Sequence, residues 1–336
     1  MRYIDTAPTT DPTLNLAMEE HVLRSFPAEE DYVVFYVNEP SIIIGRNQNT
    51  LEEINAAYVE ANDIHVVRRI SGGGAVYHDH GNLNFSFITD YAMDRLNNFR
   101  HFTRPVIEAL NTLGVPAELR GRNDIVVDGR KVSGNAQYST GTRMFSHGTL
   151  LFDSNLGEVQ HALDVKQGKI ESKGHKSVRS RVANIVAFLE DDGLTVDDLR
   201  AHLLESFKAA QDVTVYEPTD ADWAAAEELA EAKYRTWAWN YGASPDFDVQ
   251  RARRFDIGEV DIRLNISDGR IQEITIFGDF LGHADVSVLE DQLQGVAYRL
   301  DALTAALDDT DVPSYFGGLS QQDFLQLLYA RDEADV

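Results

Sequence analysis

Four stretches of this chain set charge beside bare backbone. RRISGGGAVYH (68–78) runs Arg68 and Arg69 into Ser71, Gly72, Gly73 and Gly74. GRKVSGNAQ (129–137) places Lys131 just past a turn, followed by Ser133 and Gly134. SHGTLLFD (146–153) carries His147, Gly148 and Thr149. KQGKIESKGHKSVRSR (166–181) holds six basic residues, Lys173, Lys176 and Arg181 among them, against the single acid Glu171. Glycine runs lose much conformational entropy on folding, so a tight turn or a ligand needing bare backbone must offset the cost. Backbone N–H groups and cations together suit an anion.

The glycine run is no Walker A loop, since no Gly-Lys-Ser/Thr follows, and a strand rather than a helix comes after it. It reads as a ligand contact more than as a plain turn. Lys131 is either a solvated edge charge or a clamp on charge developing in a transition state. Asn123 and Asp124 open the same hairpin. Asp124 is a turn cap or a Mg²⁺ ligand, magnesium being commonly held by one or two carboxylates plus phosphate oxygens. His147 reads as a ligand contact or a turn closure. Of His78, Asp79 and His80, only the two histidines share a strand face, and a metal there is not expected. The basic stretch 166–181 is a solvated loop or an anion-binding one.

The elements that must carry these residues are legible. Asp11 and Pro12 open a helix marked by Leu14, Met18, Val22 and Phe26. YVVFYV (32–37) and SIIIG (41–45) are strands around Asn38-Glu39-Pro40. LEEINAAYVEAN (51–62) is expected as one helix and HVVRRI (65–70) as a strand. NLNFSFITD (82–90) alternates like a half-buried strand with Leu83, Phe85 and Phe87 on one face. FTRPVIEALNTLG (102–114) is a helix stopped by Gly114. DIVVDGRKVSG (124–134) is a hairpin turned at Asp128-Gly129, and MFSHGTLLFD (144–153) is a strand. A Thr-capped helix covers 195–211. YGASPDF (241–247) reads as a linker. After it come two strands around SDGR and two helices, near 287–308 and 319–330. The expected fold class is α+β with a largely antiparallel mixed sheet, divided as 1–245 and a small α/β accessory domain, 250–336.

The 336 residues carry a net charge of −25, which argues against general nucleic-acid binding. The charge is uneven. Residues 1–185 hold 19 Lys+Arg against 23 Asp+Glu, whereas 186–336 hold 11 against 32. No apolar run is long enough for a membrane span, and the N-terminus lacks a signal pattern, so a cytoplasmic protein is expected. The chain has no cysteine, which excludes disulfides, Cys-ligated zinc and any cysteine nucleophile.

Taken together, the motifs resemble lipoate–protein ligase A, of the biotin/lipoate ligase superfamily. The matching segments are GRNQN (45–49), RRISGGGAVYHDHGNLNFSF (68–87), GRNDIVVDGRKVSGNAQ (121–137), HGTLLFD (147–153), KGHKSVRSRVANI (173–185), RTWAWNYGASPDF (235–247) and LQGVAYRLDAL (293–303). They span nearly the whole chain in order. The resemblance implies activation of lipoate with ATP and Mg²⁺ to lipoyl-AMP. Transfer then follows to a lysine of a lipoyl domain, in a 2-oxoacid dehydrogenase or the glycine-cleavage H protein. It implies a catalytic Lys131. It implies that Arg69, Gly74, Ala75, Val76, Tyr77, Asn123, Asp124, Thr149, Lys173, Lys176 and Arg181 contact ATP or the adenylate. It implies that Arg68, Ser71, Gly72, Gly73, Gly74, Ser133, Gly134, His147 and Gly148 contact lipoate, with Lys131 shared between both sets.

The lipoyl chain needs an apolar tunnel, for which Val76, Tyr77, Phe85 and Phe87 are candidates. An acidic acceptor is expected to dock on a basic face near 68–69 and 166–181. Related transferases use a cysteine thioester, which this chain cannot form, and biotin ligases carry a different loop at the RRISGGG position. A ligase preferring octanoate and a non-catalytic lipoate or nucleotide sensor stand as alternatives.

Overall fold

The computed structural model describes residues 1–163, 182–190, 193–241, 249–267 and 269–329. They fall into two compact units. The first takes 1–44, 50–69 and 75–241; the second takes 249–329 with two short excursions of the chain, 45–49 and 70–74. The class is α+β, as expected.

The first unit holds an eight-stranded sheet. Its strands are β1 (Arg2–Asp5), β2 (Tyr32–Val37), β6 (Asn82–Asp90), β7 (Ala117–Arg120), β8 (Asp124–Val127), β9 (Arg130–Ser139), β10 (Arg143–Leu151) and β11 (Thr214–Val215). They lie in the order β11-β1-β2-β6-β10-β9-β8-β7. Only the two pairings of β1 are parallel. A second sheet sets β3 (Ser41–Ile44) between the parallel β4 (His65–Arg68) and the antiparallel β5 (Val76–His78). The strands either side of Asn38-Glu39-Pro40, β2 and β3, thus enter different sheets.

One face of the large sheet carries the core. Phe35, Leu83, Phe85, Phe87 and Leu150 pack with Phe102, Val106 and Leu110 of the helix Phe99–Thr112 and with Leu199, Leu203 and Phe207 of the helix Val196–Ala210. Helix α1 (Pro12–Ser25) begins where expected: the Asp11 side chain accepts the Thr13 and Leu14 N–H groups, with Pro12 in the first turn. Thr195 opens the 196–210 helix with a reciprocal capping box to Asp198. The Asp128-Gly129 turn has φ of +50° and +75°, the signs a two-residue hairpin turn needs.

Several expectations are corrected. The 51–62 stretch is two helices, Thr50–Glu53 and Ala56–Ala61. Ile54 leaves to bridge Leu163, and Asn55 caps the second helix by accepting the Tyr58 N–H. β4 stops at Arg68. The 102–114 helix starts three residues earlier, at Phe99, capped by Asn98. β6 is not half-buried: both faces are covered from Asn82 to Thr89.

The second unit builds a three-stranded antiparallel sheet from β12 (Val249–Phe255), β13 (Gly258–Ser267) and β14 (Arg270–Gly278). β12 escaped sequence reading because its exposed arginines hide the alternation. Four helices follow rather than two: Val286–Leu293, Leu300–Ala306, Val312–Phe316 and Gln321–Leu328. Gly295, at φ of +79°, interrupts what read as one helix over 287–308, and the short helix Val312–Phe316, ended by Gly317 at φ of +76°, was not expected. Leu264, Ile276, Leu289, Phe316 and Phe324 lie in its own core. No helix among the described residues is long and apolar enough to cross a membrane.

Candidate functional site

Toward one end the face of the large sheet opposite the core carries small and polar groups, while a row of Tyr32, Ile88, Phe145 and Tyr138 crosses its other end. Cross-strand register aligns Tyr36 of β2 with Asn84 of β6, and Asn84 with Thr149 of β10. The Thr149 hydroxyl accepts the Gly134 N–H of β9 at 3.5 Å, and Gly134 pairs with Asp124 of β8. A parallel row runs Val34, Ser86, His147 and Ala136. From β2 to β9 is three strand spacings of about 4.8 Å, roughly 14 Å, along a floor with no large apolar side chain between Tyr36 and Lys131.

One end of the floor is a buried polar cluster. His147 Nδ1 lies 3.0 Å from Glu19 Oε1 of α1. Asn15, one helical turn before Glu19, donates to Asn38 Oδ1 at 2.9 Å and to the Val37 carbonyl at 3.1 Å. Asn38 Nδ2 is 3.0 Å from His78 Nδ1. Arg69 donates to the Ile43 carbonyl at 2.9 Å. Burial pushes the Arg69 guanidinium down to about 10, opposed by Tyr36 and Glu19, so it stays charged at neutral pH. Burial, then Arg69 and His147, push His78 down to about 3, so this imidazole is neutral. Burial raises the Tyr36 phenol well above its ordinary value.

Several buried polar atoms around this cluster have no protein partner among the described residues: Asn15 Oδ1, Ser41 Oγ, His78 Nε2, Asn82 Oδ1 and Ser86 Oγ. Buried polar groups are ordinarily satisfied, so an interior with this many orphans is suited to a polar ligand or to water.

The other end is Lys131. Pairing steps from Val126 with Lys131 to Ile125 with Ser133, leaving Val132 as an extra residue in a β-bulge. The bulge sets Gly134, rather than Ser133, beside the lysine. A Cβ on Gly134 would lie 2.9 Å from Lys131 Nζ, so the missing side chain makes room for the ammonium. Nζ sits 2.7 Å from Asp124 Oδ1. The Lys131 backbone also bridges Val182, and its carbonyl accepts the Ala183 N–H, so the chain re-enters from 164–181 at this point. Lys173, Lys176 and Arg181, and the rest of the basic stretch, lie outside the described residues.

On the core side, Asn123 Nδ2 donates to the Asn135 carbonyl and Asn135 Nδ2 to the Asn123 carbonyl, clasping the hairpin mouth. Ser133 is buried there, accepting from Asn135 Nδ2 at 3.2 Å. Gly148 is required by packing: a Cβ would meet Asn135 Oδ1 at 2.2 Å and Phe85 Cζ at 2.6 Å.

The structure reassigns three groups of residues. Arg68 and Arg69 form no exposed docking face, since both are buried. Arg68 donates to Thr50 Oγ1 and to the Trp239 and Asn240 carbonyls, which makes it a strut. Phe85 and Phe87 belong to the main core and Tyr77 to a cluster with Ile42 and Val66, so none of the three faces the polar floor. Val76 alternates with Tyr77 on β5 and takes the other face.

The glycine run has a structural share as well. Within the second unit, a Cβ on Gly72 would meet the Phe280 carbonyl at 2.4 Å. Gly73 has φ of +93° and donates to that carbonyl at 3.3 Å. Gly74 has open space where a side chain would be. In the same unit the Arg46 N–H reaches the Ser71 carbonyl, and Gly278 N–H reaches Asn47.

Sequence reading missed Asn15, Glu19, Tyr36, Asn84 and Ser86. Asn15 and Glu19 were findable, as polar residues four apart inside an apolar helical stripe. Among the described residues no group of three His, Asp or Glu is placed to hold a metal.

The row of polar residues and its bulge-mounted lysine lie on one mixed sheet of the first unit. Residues 11–208 match the model of the lipoyl protein ligase A/B catalytic domain, and 244–328 that of the bacterial lipoate protein ligase C-terminus. The chain is 52% identical to the lipoate-protein ligase LplJ of Bacillus subtilis, over 98% of this chain and all of that one. A bipartite lipoate protein ligase of Thermoplasma acidophilum, described with its E2 lipoyl domain, aligns at 31% identity with a TM-score of 0.64, over 74% of this chain and 98% of that one. LipL1 of P. falciparum, in complex with lipoate, shares the fold over 98% of both chains, at a TM-score of 0.78 and 21% identity. The chain belongs to the lipoate–protein ligase A family.

Proposed function

We propose that this protein activates lipoate with ATP and transfers the lipoyl group to a lysine on lipoyl domains. Lipoate–protein ligase activity in general follows from the family. The adenylate route and the acceptor are the finer reading. The observation that carries it is Lys131, mounted by a bulge at the end of a small-residue floor with a buried polar cluster at the far end.

In this reading lipoate has its carboxylate at Lys131 and its apolar chain over the small residues of the floor, Gly134, Ala136 and Val34. A carboxylate oxygen attacks the α-phosphorus of ATP and pyrophosphate leaves. The acceptor amine then attacks the acyl carbon, AMP leaves, and the amine gives up a proton. Both starting partners are anions. Lys131 lowers their repulsion and stabilises the charge that builds on the phosphorus and carboxyl oxygens. Arg69, buried and charged, contributes positive potential from within. Ala75 and Val76 border the nucleotide, and the cations of the basic stretch 166–181, which lies outside the described residues, offset the adenylate's charge. Mg²⁺ would arrive on the ATP phosphates. The acceptor is a lipoyl domain of the 2-oxoacid dehydrogenase or glycine-cleavage type, as the E2 domain described with the Thermoplasma ligase supports.

Pyrophosphate exchange into ATP, run in parallel with lipoate, octanoate and biotin, tests the reading. Exchange with lipoate is expected and exchange with biotin is not. Stronger exchange with octanoate would move the substrate to a shorter acid, and exchange with none would refute the adenylating activity.

A further inference from the structure

We propose that Asp124 is a positioning residue for Lys131: it holds the ammonium over Gly134 through one donor and leaves the others for the incoming anion. The proposal rests on the ligase reading above. Four observations carry it. Asp124 and Gly134 are direct cross-strand partners, so the carboxylate stands beside the one gap on β9 that accepts the ammonium. The bulge at Val132 puts Lys131 on that same side. The contact is 2.7 Å, a charge-assisted hydrogen bond that aims the ammonium. Both side chains are 38% exposed, so the pair is open to solvent and to ligand.

An exposed ion pair is worth little, because water screens it. The ammonium has three donors, so a phosphate or substrate carboxylate can bind it while Asp124 keeps it aimed. Without Asp124 the four-carbon stem would wander among rotamers, and the reaction would lose aligned geometry. The carboxylate also repels the anionic substrates while it holds the lysine. Removing it therefore has split effects: kcat falls while KM for MgATP does not rise. A magnesium ligand would behave differently, since its loss raises the metal requirement.

The test uses the full chain and the variants Asp124→Asn, Asp124→Glu and Gly134→Ala. Asp124→Asn should lower kcat for lipoate-dependent pyrophosphate exchange about threefold to fivefold, with KM for MgATP unchanged or lower. The Mg²⁺ concentration for half-activity should stay as in the wild type. Asp124→Glu, which can still reach the ammonium, should restore most of the rate.

A second readout needs no activity. Acetylation of Lys131 by an amine-reactive ester, followed by peptide mass spectrometry, should be several-fold faster in Asp124→Asn and in Gly134→Ala, whose Cβ displaces Nζ. Equal labelling in all proteins would overturn the proposal, as would a Mg²⁺ requirement raised about tenfold in Asp124→Asn. If Asp124→Asn does not fold, labelling of Gly134→Ala against Asp124→Glu decides in the same way. A wild-type protein inactive with lipoate and ATP would refute the ligase reading instead, and the labelling result would still judge the ion pair.

Discussion

Strand β6 has two faces, and they do different work from adjacent residues. Leu83, Phe85 and Phe87 join the main core; Asn82, Asn84 and Ser86 are just as buried yet face the other way. On the first face the neighbours are helices that fill space with rings. On the second they are α1 and the polar cluster of Glu19, Tyr36 and His147, where Asn82 and Ser86 keep unpartnered oxygens. Burial alone therefore does not distinguish packing from a binding site. What distinguishes them is whether the buried groups are satisfied by the protein itself.

That contrast can be broken residue by residue. The largest effect belongs to the core face. Phe85→Ala should cost about 3–5 kcal/mol, read as a lower denaturation midpoint, because Phe85 is wholly enclosed. Gly148→Ala comes next, at about 1–3 kcal/mol, since the new Cβ collides with Asn135 and Phe85. Denaturant titration checks both, and a neutral Gly148→Ala would contradict the packing described.

The site face should answer through pH and substrate instead. The folded-state pKa of His78 lies near 3, below its ordinary 6.5. The unfolded chain thus binds its proton first as acid is added. Stability is full above about pH 6.5 and is lost as pH falls toward 3. His78→Gln should flatten that loss in melts taken between pH 7 and 4; an unchanged slope would mean another group governs it. The smallest stability effect is Ser86→Ala. Its hydroxyl has no partner to lose, so the change should stay within about 1 kcal/mol while KM for lipoate shifts.

The two faces also show what the sequence could and could not disclose. The alternation 82–90 announced the strand and its apolar face, because period-two patterning is a local signal. Lys131, Gly134 and the Asp128-Gly129 turn were equally legible, since turn chemistry fixes the hairpin. The bulge was not, because an extra residue shows only once the partner strand's register is known. Tyr36 and Asn84 were hidden for a similar reason: their roles depend on which strands lie side by side, and β6 sits between β2 and β10 across long stretches of chain.

Arg68 and Arg69 teach the limit most plainly. Adjacent and identical in type, one holds Thr50 and the 239–240 backbone, the other sits with Tyr36 and Glu19 in electrostatic reach. The glycine run read as a ligand wall, yet Gly72 and Gly73 answer first to the backbone at Phe280.

The central claim is that Lys131 drives acid activation from the end of the polar floor. Lipoate-dependent pyrophosphate exchange by Lys131→Ala, with its melting temperature measured alongside, tests it most directly. The account predicts a loss of at least about 10²-fold in rate at near-wild-type stability, because the lysine's half-exposed pair with Asp124 adds little to the fold. Exchange at a near-wild-type rate would contradict it.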